Sequence, residues 1–168
     1  CIRDRGEELV FSRQDEGLGL LALMTGSEGL LGVITEITVK LTKKPEVAKL
    51  VMAGFGSVRD CANAVADIIK NGIIPAGLEM MDEFAIEASE EFARPGYPLG
   101  SKALLLCELD GSDELVSNDL ETVLSLLSKA SSVRVSESEE ERLLLWKGRK
   151  SAFPAVGRIS PDYYCMDG

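Results

Sequence analysis

The chain has 168 residues, a formal charge of −10 and a hydrophobic fraction of 45%. A chain of this size folds as one domain, or as one domain with part of another, without needing a disulfide or a metal. Its acidity argues against nucleic acid and anionic membrane surfaces as partners, because both require clustered basic residues. The sequence has no histidine, which excludes a histidine base or metal ligand from this chain.

The four cysteines are far apart and form no C-x-x-C pair, so neither a zinc site nor a dithiol redox motif is indicated. Cys61 and Cys107 have the pattern of small core residues. No apolar run is long enough to cross a bilayer, and no signal-peptide pattern opens the chain. We therefore expect reduced thiols, no metal and no transmembrane segment. We also expect an internal piece of a longer protein.

The first 45 residues are rich in glycine and predict short elements around a loop. Residues 7–12 have the pattern of a strand, and residues 18–24 that of one or two helical turns. Residues 32–41 alternate between apolar and polar side chains, which predicts a strand. Pro45 ends this part and marks the expected domain boundary.

Residues 46–136 predict strands and helices in regular alternation. The predicted strands cover residues 48–55, 77–81, 103–109 and 133–135. The predicted helices between them follow the capping residues Ser57, Asp82 and Ser112. The order βαβ(α)βαβ is ferredoxin-like with one extra helix, which predicts an α+β fold.

Two helices carry more detailed expectations. The helix after Ser57 is expected to bury one stripe of side chains: Cys61, Val65, Ile68 and Ile69. The last helix is expected to open at Ser136, with Glu139 completing a capping box, and to run through Lys150. A further strand is predicted over residues 162–166.

The segment GSEGLLG at residues 26–32 concentrates three glycines just before a predicted strand. Glycine permits positive φ and lets backbone N–H groups approach a ligand closely. The segment lacks the lysine of a P-loop, which excludes a Walker site. Two interpretations stay open from the residues alone: a tight turn between core strands, or a backbone site for a phosphate-containing ligand.

Arg142, Trp146 and Arg149 are spaced to share one face of the last predicted helix. A planar guanidinium can bind a small carboxylate through two parallel hydrogen bonds. The alternative is that these cations only complement the C-terminal end of the helix dipole. The spacing does not separate the two.

Several segments resemble FAD-linked oxidases of the vanillyl-alcohol-oxidase type. The segment TGSEGLLGVITE (residues 25–36) is similar to the signature that closes their flavin-binding domain. Three further segments resemble the D subunits of glycolate oxidases within this family: GLEMMD (77–82), LWKGRKSAFPA (145–155) and ISPDYYCMDG (159–168). One departure is Leu30, where the family commonly has threonine.

The resemblance implies a two-domain flavoenzyme that oxidises a D-2-hydroxy acid, such as glycolate or D-lactate, by hydride transfer to FAD. Residues 1–45 would be the tail of the FAD-binding domain, and residues 46–168 the first part of the substrate, or cap, domain. Arg149 would bind the substrate carboxylate, and no catalytic residue or metal ligand would lie within the chain. The residues implied to contact FAD are Gly26, Ser27, Glu28, Gly29, Gly32, Val33 and Ile34.

The resemblance also implies partners, namely other subunits of a glycolate-oxidase-type complex or an electron acceptor. It implies a cytoplasmic location, with attachment to the inner membrane through those subunits, and a homo-oligomer is left open. We expect the chain alone to be inactive and to retain no FAD, because one loop cannot enclose so large a ligand. The competing hypothesis is a ferredoxin-like ligand-binding or interaction module without catalysis, since the fold hosts both.

Overall fold

The computed structural model describes residues 10–14, 17 and 19–162. The chain divides into two compact units, Cys1–Lys43 and Lys44–Gly168. In its described part the first unit holds one short helix, α1 (Leu20–Met24), followed by a tight turn.

The second unit carries one antiparallel sheet of four strands. The strands are β1 (Val47–Phe55), β2 (Gly77–Asp82), β3 (Ala103–Gly111) and β4 (Ser132–Val135). Their order in the sheet is β2-β3-β1-β4, and every neighbouring pair is antiparallel. The helices are α2 (Val58–Lys70), α3 (Glu83–Ala93), α4 (Asp113–Leu126), α5 (Glu139–Lys150) and α6 (Ala152–Ile159). The predicted ferredoxin-like α+β fold is confirmed, and α3 is the extra helix.

Helices cover both faces of the sheet. Successive side chains of a strand point to opposite faces, so the apolar runs of β1 and β3 supply two cores. Val51, Leu105 and Cys107 pack with α2 and α4, whereas Leu50 and Leu106 pack with α3 and α5. Burial raises the pKa of the Cys107 thiol to about 12, so this thiol stays protonated within the core.

The buried stripe of α2 differs from the expected one. Its buried residues are Cys61, Ala64 and Ile68, and Ile69 is 53% exposed. Each helical residue turns the side chain by about 100°. Ile69 therefore points away from the sheet, and the smaller Ala64 occupies the inner face.

The expectation that Ser136 caps the last helix is wrong. The cap is Ser138, whose hydroxyl accepts from the Glu141 N–H at 3.2 Å. Ser136 is buried, and its hydroxyl accepts from the N–H of Leu50 at 3.0 Å. Its own N–H donates to the Leu50 carbonyl at 2.8 Å. Ser136 therefore prolongs the contact between β4 and β1. Its hydroxyl is already bound to Leu50 and so is not available to cap α5.

The strand predicted over residues 32–41 is also wrong for the described structure. Only Val33 has strand-type pairing, and Ile37 and Val39 are 70% and 67% exposed. A strand needs a hydrogen-bonded neighbour along its length, and the described part of the first unit contains no strand that could pair with this segment. Helix α6 was not predicted. Pro154 is compatible with the first turn of this helix, where a missing N–H has no cost.

Other expectations concern the ends of the chain. Of the strands predicted over residues 7–12 and 162–166, residues 7–9 and 163–166 lie outside the described residues, and residues 10–12 and 162 form no strand. Within the described ranges no helix combines the length and hydropathy that crossing a bilayer requires.

Candidate functional site

Two carboxylates and two arginines meet where α5 packs near the β2 edge of the sheet. Glu79 lies in β2 and Glu108 in β3, and the register of the two strands places both side chains on the face covered by α5. Arg142 and Arg149 lie two turns apart on α5, so both extend toward this face. Each arginine binds one of the two carboxylates.

Arg149 is bound to Glu79 through one edge of its guanidinium. Its Nε and Nη2 donate to the same oxygen, Oε2 of Glu79, at 3.1 and 3.0 Å. The Arg149 side chain is 23% exposed and that of Glu79 is 40% exposed. A guanidinium has a second edge, formed by Nη1 and Nη2. No described residue accepts from Nη1, so the second edge can bind another carboxylate without displacing Glu79.

Arg142 and Trp146 have a different partner from Arg149. Arg142 Nη1 donates to Oε2 of Glu108 at 2.5 Å, and the Trp146 indole N–H donates to the same oxygen. Arg142 also binds Glu139, at 2.8 Å through Nε and at 2.7 Å through Nη2. The hydrogen bond from Arg142 lowers the pKa of the Glu139 carboxyl. All three side-chain nitrogens of Arg142 therefore donate to carboxylates of the protein, whereas Nη1 of Arg149 donates to no described residue.

Two glycines let α5 approach its neighbours closely. A Cβ at Gly77 would lie 2.8 Å from Trp146 Cζ2, and one at Gly148 would lie 2.6 Å from the Tyr97 hydroxyl oxygen. That hydroxyl donates to the Leu145 carbonyl at 2.6 Å. Burial raises the pKa of Tyr97, so the hydroxyl keeps the proton that it donates. Close packing and this hydrogen bond fix the position of α5, and therefore the place of Arg149.

The glycine loop of the first unit forms a tight turn. The Leu30 N–H donates to the Ser27 carbonyl at 2.9 Å, and the central residues Glu28 and Gly29 have φ of 49° and 81°. Positive φ at both central positions is typical of a type I′ turn. Gly26 also has positive φ, at 77°. A Cβ at Gly26 or Gly29 would meet nothing within 4 Å, so the backbone conformation, rather than crowding, favours glycine there.

The loop keeps backbone donors available. The N–H groups of Gly26, Glu28 and Gly29 donate to no described residue, whereas those of Ser27 and Leu30 are used within the turn. Val33 and Ile34 are 63% and 47% exposed, and the Gly32 between them and the turn is half-buried. Open surroundings and available N–H groups fit a site where a large phosphate-containing ligand approaches the backbone.

Sequence reasoning missed the carboxylates that organise this site. Glu79 and Glu108 each lie between apolar neighbours inside a strand, whereas the other acidic residues of these strands, Asp82 and Asp110, lie at or near the strand ends. An acidic residue in the interior of a strand was the available signal. Among residues 10–14, 17 and 19–162, no group of three potential ligands is arranged to hold a metal ion.

The second unit coincides with a known domain. The sequence model described as FAD linked oxidases, C-terminal domain, matches residues 44–168. The chain belongs to the FAD-linked oxidase family. The predicted family is thereby confirmed.

The relatives of this chain include glycolate oxidase subunits and D-lactate dehydrogenases. The chain is 59% identical over 154 residues to the glycolate oxidase subunit GlcD of Escherichia coli K12, covering 90% of the chain and 31% of that protein. GlcD of Bacillus subtilis 168 is 41% identical, with 90% and 33% covered. The mitochondrial D-lactate dehydrogenase (cytochrome) of Arabidopsis thaliana is 32% identical, with 89% and 26% covered. The chain thus spans about a third of the length of these two GlcD proteins.

Solved structures agree on the fold. An alkyldihydroxyacetonephosphate synthase superposes with a TM-score of 0.58 at 18% identity, covering 86% of this chain and 30% of that one. At that identity the likeness concerns the fold alone.

Proposed function

We propose that this chain is part of a flavin-dependent oxidoreductase that oxidises a D-2-hydroxy acid of the glycolate or D-lactate type. The main support is the 59% identity to a glycolate oxidase subunit over 90% of the chain. The geometry adds a partly exposed guanidinium, that of Arg149, with one edge available for an acid. The alternative, an interaction module without catalysis, lacks any such specific support.

Residues 1–45 are assigned to the tail of the FAD-binding domain and residues 46–168 to the first part of the cap domain. The loop fits FAD because its backbone donors are available and its glycines leave room for close approach. The residues that would hold FAD are Gly26, Ser27, Glu28, Gly29, Gly32, Val33 and Ile34. When bound, FAD supplies the acceptor for the hydride of the substrate.

Within this scheme Arg149 binds and orients the substrate. Its Nη1–Nη2 edge pairs with the carboxylate through two parallel hydrogen bonds, which fixes the direction of the α-carbon. The chain has no histidine to take the hydroxyl proton. We assign that role to residues of the parent protein outside this chain. The same parent is proposed to work in the cytoplasm with further subunits or an electron acceptor, which would also provide any contact with the inner membrane.

The function is tested on the purified full-length parent protein. We expect bound flavin that is reduced under anaerobic conditions by glycolate or D-lactate, and far more slowly by L-lactate. The absorbance of the oxidised flavin measures this directly. Normal flavin content with no reduction by any 2-hydroxy acid would contradict the proposed function and favour the non-catalytic module.

Substitution of Gly29 tests the flavin loop. Valine at a positive φ costs roughly 1–2 kcal/mol, so Gly29→Val is expected to weaken flavin binding about 5- to 30-fold in the full-length enzyme. The measurement is flavin retained after dialysis. Gly29→Asn is the matched control, because asparagine tolerates this conformation, and it should retain more flavin. Equal retention in the two variants would show that the conformation of Gly29 does not matter for FAD.

A further inference from the structure

We propose that Glu79 is a positioning residue for Arg149 and that it orients the guanidinium edge which receives the substrate carboxylate. This inference rests on the proposed function of Arg149 and goes beyond it by naming the group that sets its geometry. Glu79 itself touches neither substrate nor flavin in this scheme.

The hydrogen-bond geometry carries the inference. Both Nε and Nη2 of Arg149 donate to one oxygen of Glu79, at 3.1 and 3.0 Å. Two donors on one acceptor keep the Nε–Nη2 edge turned toward Glu79, which a single bond would not do. The remaining Nη1–Nη2 edge then has one direction. An arginine without this contact would sample several rotamers and lose freedom when substrate binds.

Glu79 is well placed to act as a fixed reference. It lies inside β2 and pairs with Leu106 of β3, so its backbone belongs to the sheet and not to a loop. Arg149 lies on α5, which Tyr97 and Gly148 hold close to the rest of the domain. The contact therefore joins two rigid elements, a condition for holding a binding group in productive geometry.

Charge gives a second consequence. The Glu79 carboxylate compensates the charge of Arg149 and so weakens its general attraction for anions. Glutamine at position 79 keeps an acceptor oxygen and removes that charge. If orientation is the role of Glu79, Glu79→Gln should be tolerated, whereas Glu79→Ala should not.

The experiment measures kcat, KM and flavin content of full-length variants on glycolate or D-lactate. Glu79→Ala is expected to lower kcat/KM about 10- to 100-fold with normal flavin content, and Glu79→Gln by less than about threefold. The matched control is Glu83→Ala, which removes a carboxylate that pairs with Lys102 at 2.6 Å and makes no bond to Arg149. That control should change kcat/KM less than about twofold. Unchanged kcat/KM in Glu79→Ala would overturn the inference.

A double-mutant cycle separates positioning from a structural role. In an Arg149→Lys background, adding Glu79→Ala should lower kcat/KM by less than about a further threefold, because the guanidinium that Glu79 orients is already absent. If Glu79→Ala lowers kcat/KM as much in this background as it does in the wild-type enzyme, the inference is overturned. If Glu79→Ala loses flavin, Glu79→Asp decides, since the shorter side chain keeps the charge but withdraws the acceptor. It should lower kcat/KM several-fold, and an unchanged value would overturn the inference.

The values of kcat/KM for two variants distinguish the role of Arg149 from that of Glu79. If Arg149→Lys itself leaves kcat/KM unchanged, the assignment of Arg149 fails and the role of Glu79 fails with it. If Arg149→Lys loses activity and Glu79→Ala does not, only the role of Glu79 fails.

Discussion

Replacing Arg149 with lysine in the full-length enzyme is expected to lower kcat/KM for a 2-hydroxy acid about 30- to 1000-fold, or roughly 2–4 kcal/mol. An ammonium group is a compact charge, so it can bind Glu79 but has no second planar edge for the substrate. Flavin content and folding should stay near normal, because the variant keeps a cation in the last turn of α5. Steady-state kinetics with flavin content measured in parallel check the result.

The matched control for this substitution is Arg158→Lys. Arg158 lies on α6 with its guanidinium carbon 5.0 Å from the centre of the Phe92 ring, and it belongs to neither carboxylate pair. We expect a change in kcat/KM of less than about twofold, since lysine retains the charge over the ring. If Arg149→Lys changes kcat/KM less than about threefold, Arg149 serves only as a C-terminal helix cation.

The core of the fold could be predicted because local and tertiary signals agree there. The apolar run of β3 and the capping residue Ser112 each specify one structure, and both are realised. The predicted cap at Ser136 was wrong because Ser136 and Ser138 both precede α5, and the sequence alone allows either serine to cap it. Only the contact of Ser136 with Leu50 of β1 decides between them, and that contact joins residues far apart in the chain.

The candidate site was predictable only in part for the same reason. The helical spacing correctly placed Arg142, Trp146 and Arg149 on one face of α5. It could not show that Glu108 takes the first two and Glu79 the third, because the carboxylates come from separate strands. Periodicity describes one element at a time, whereas the partners of a charged side chain depend on how elements pack.

At Gly148 the local preference for a better helix former conflicts with the tertiary packing. In an exposed helix, Gly→Ala gains about 1 kcal/mol from helix propensity. At Gly148, however, a Cβ would lie 2.6 Å from both Pro95 Cγ and the Tyr97 hydroxyl oxygen. Glu90 restrains these neighbours, because its carboxylate accepts the Tyr97 N–H at 2.8 Å. The ring must therefore move, and its hydrogen bond to the Leu145 carbonyl is strained or lost.

We expect Gly148→Ala to lower the free energy of unfolding by about 2–3 kcal/mol, because overpacking and the lost hydrogen bond outweigh the gain in propensity. For a chain of this size the loss corresponds to a fall of about 4–12 °C in Tm, which thermal unfolding of the 168-residue chain measures. Gly56→Ala is the control, since a Cβ there would meet nothing within 4 Å and should leave Tm nearly unchanged. A Tm that rises in Gly148→Ala, as helix propensity alone predicts, would show that the loop holding Tyr97 yields and that α5 is not fixed by this contact.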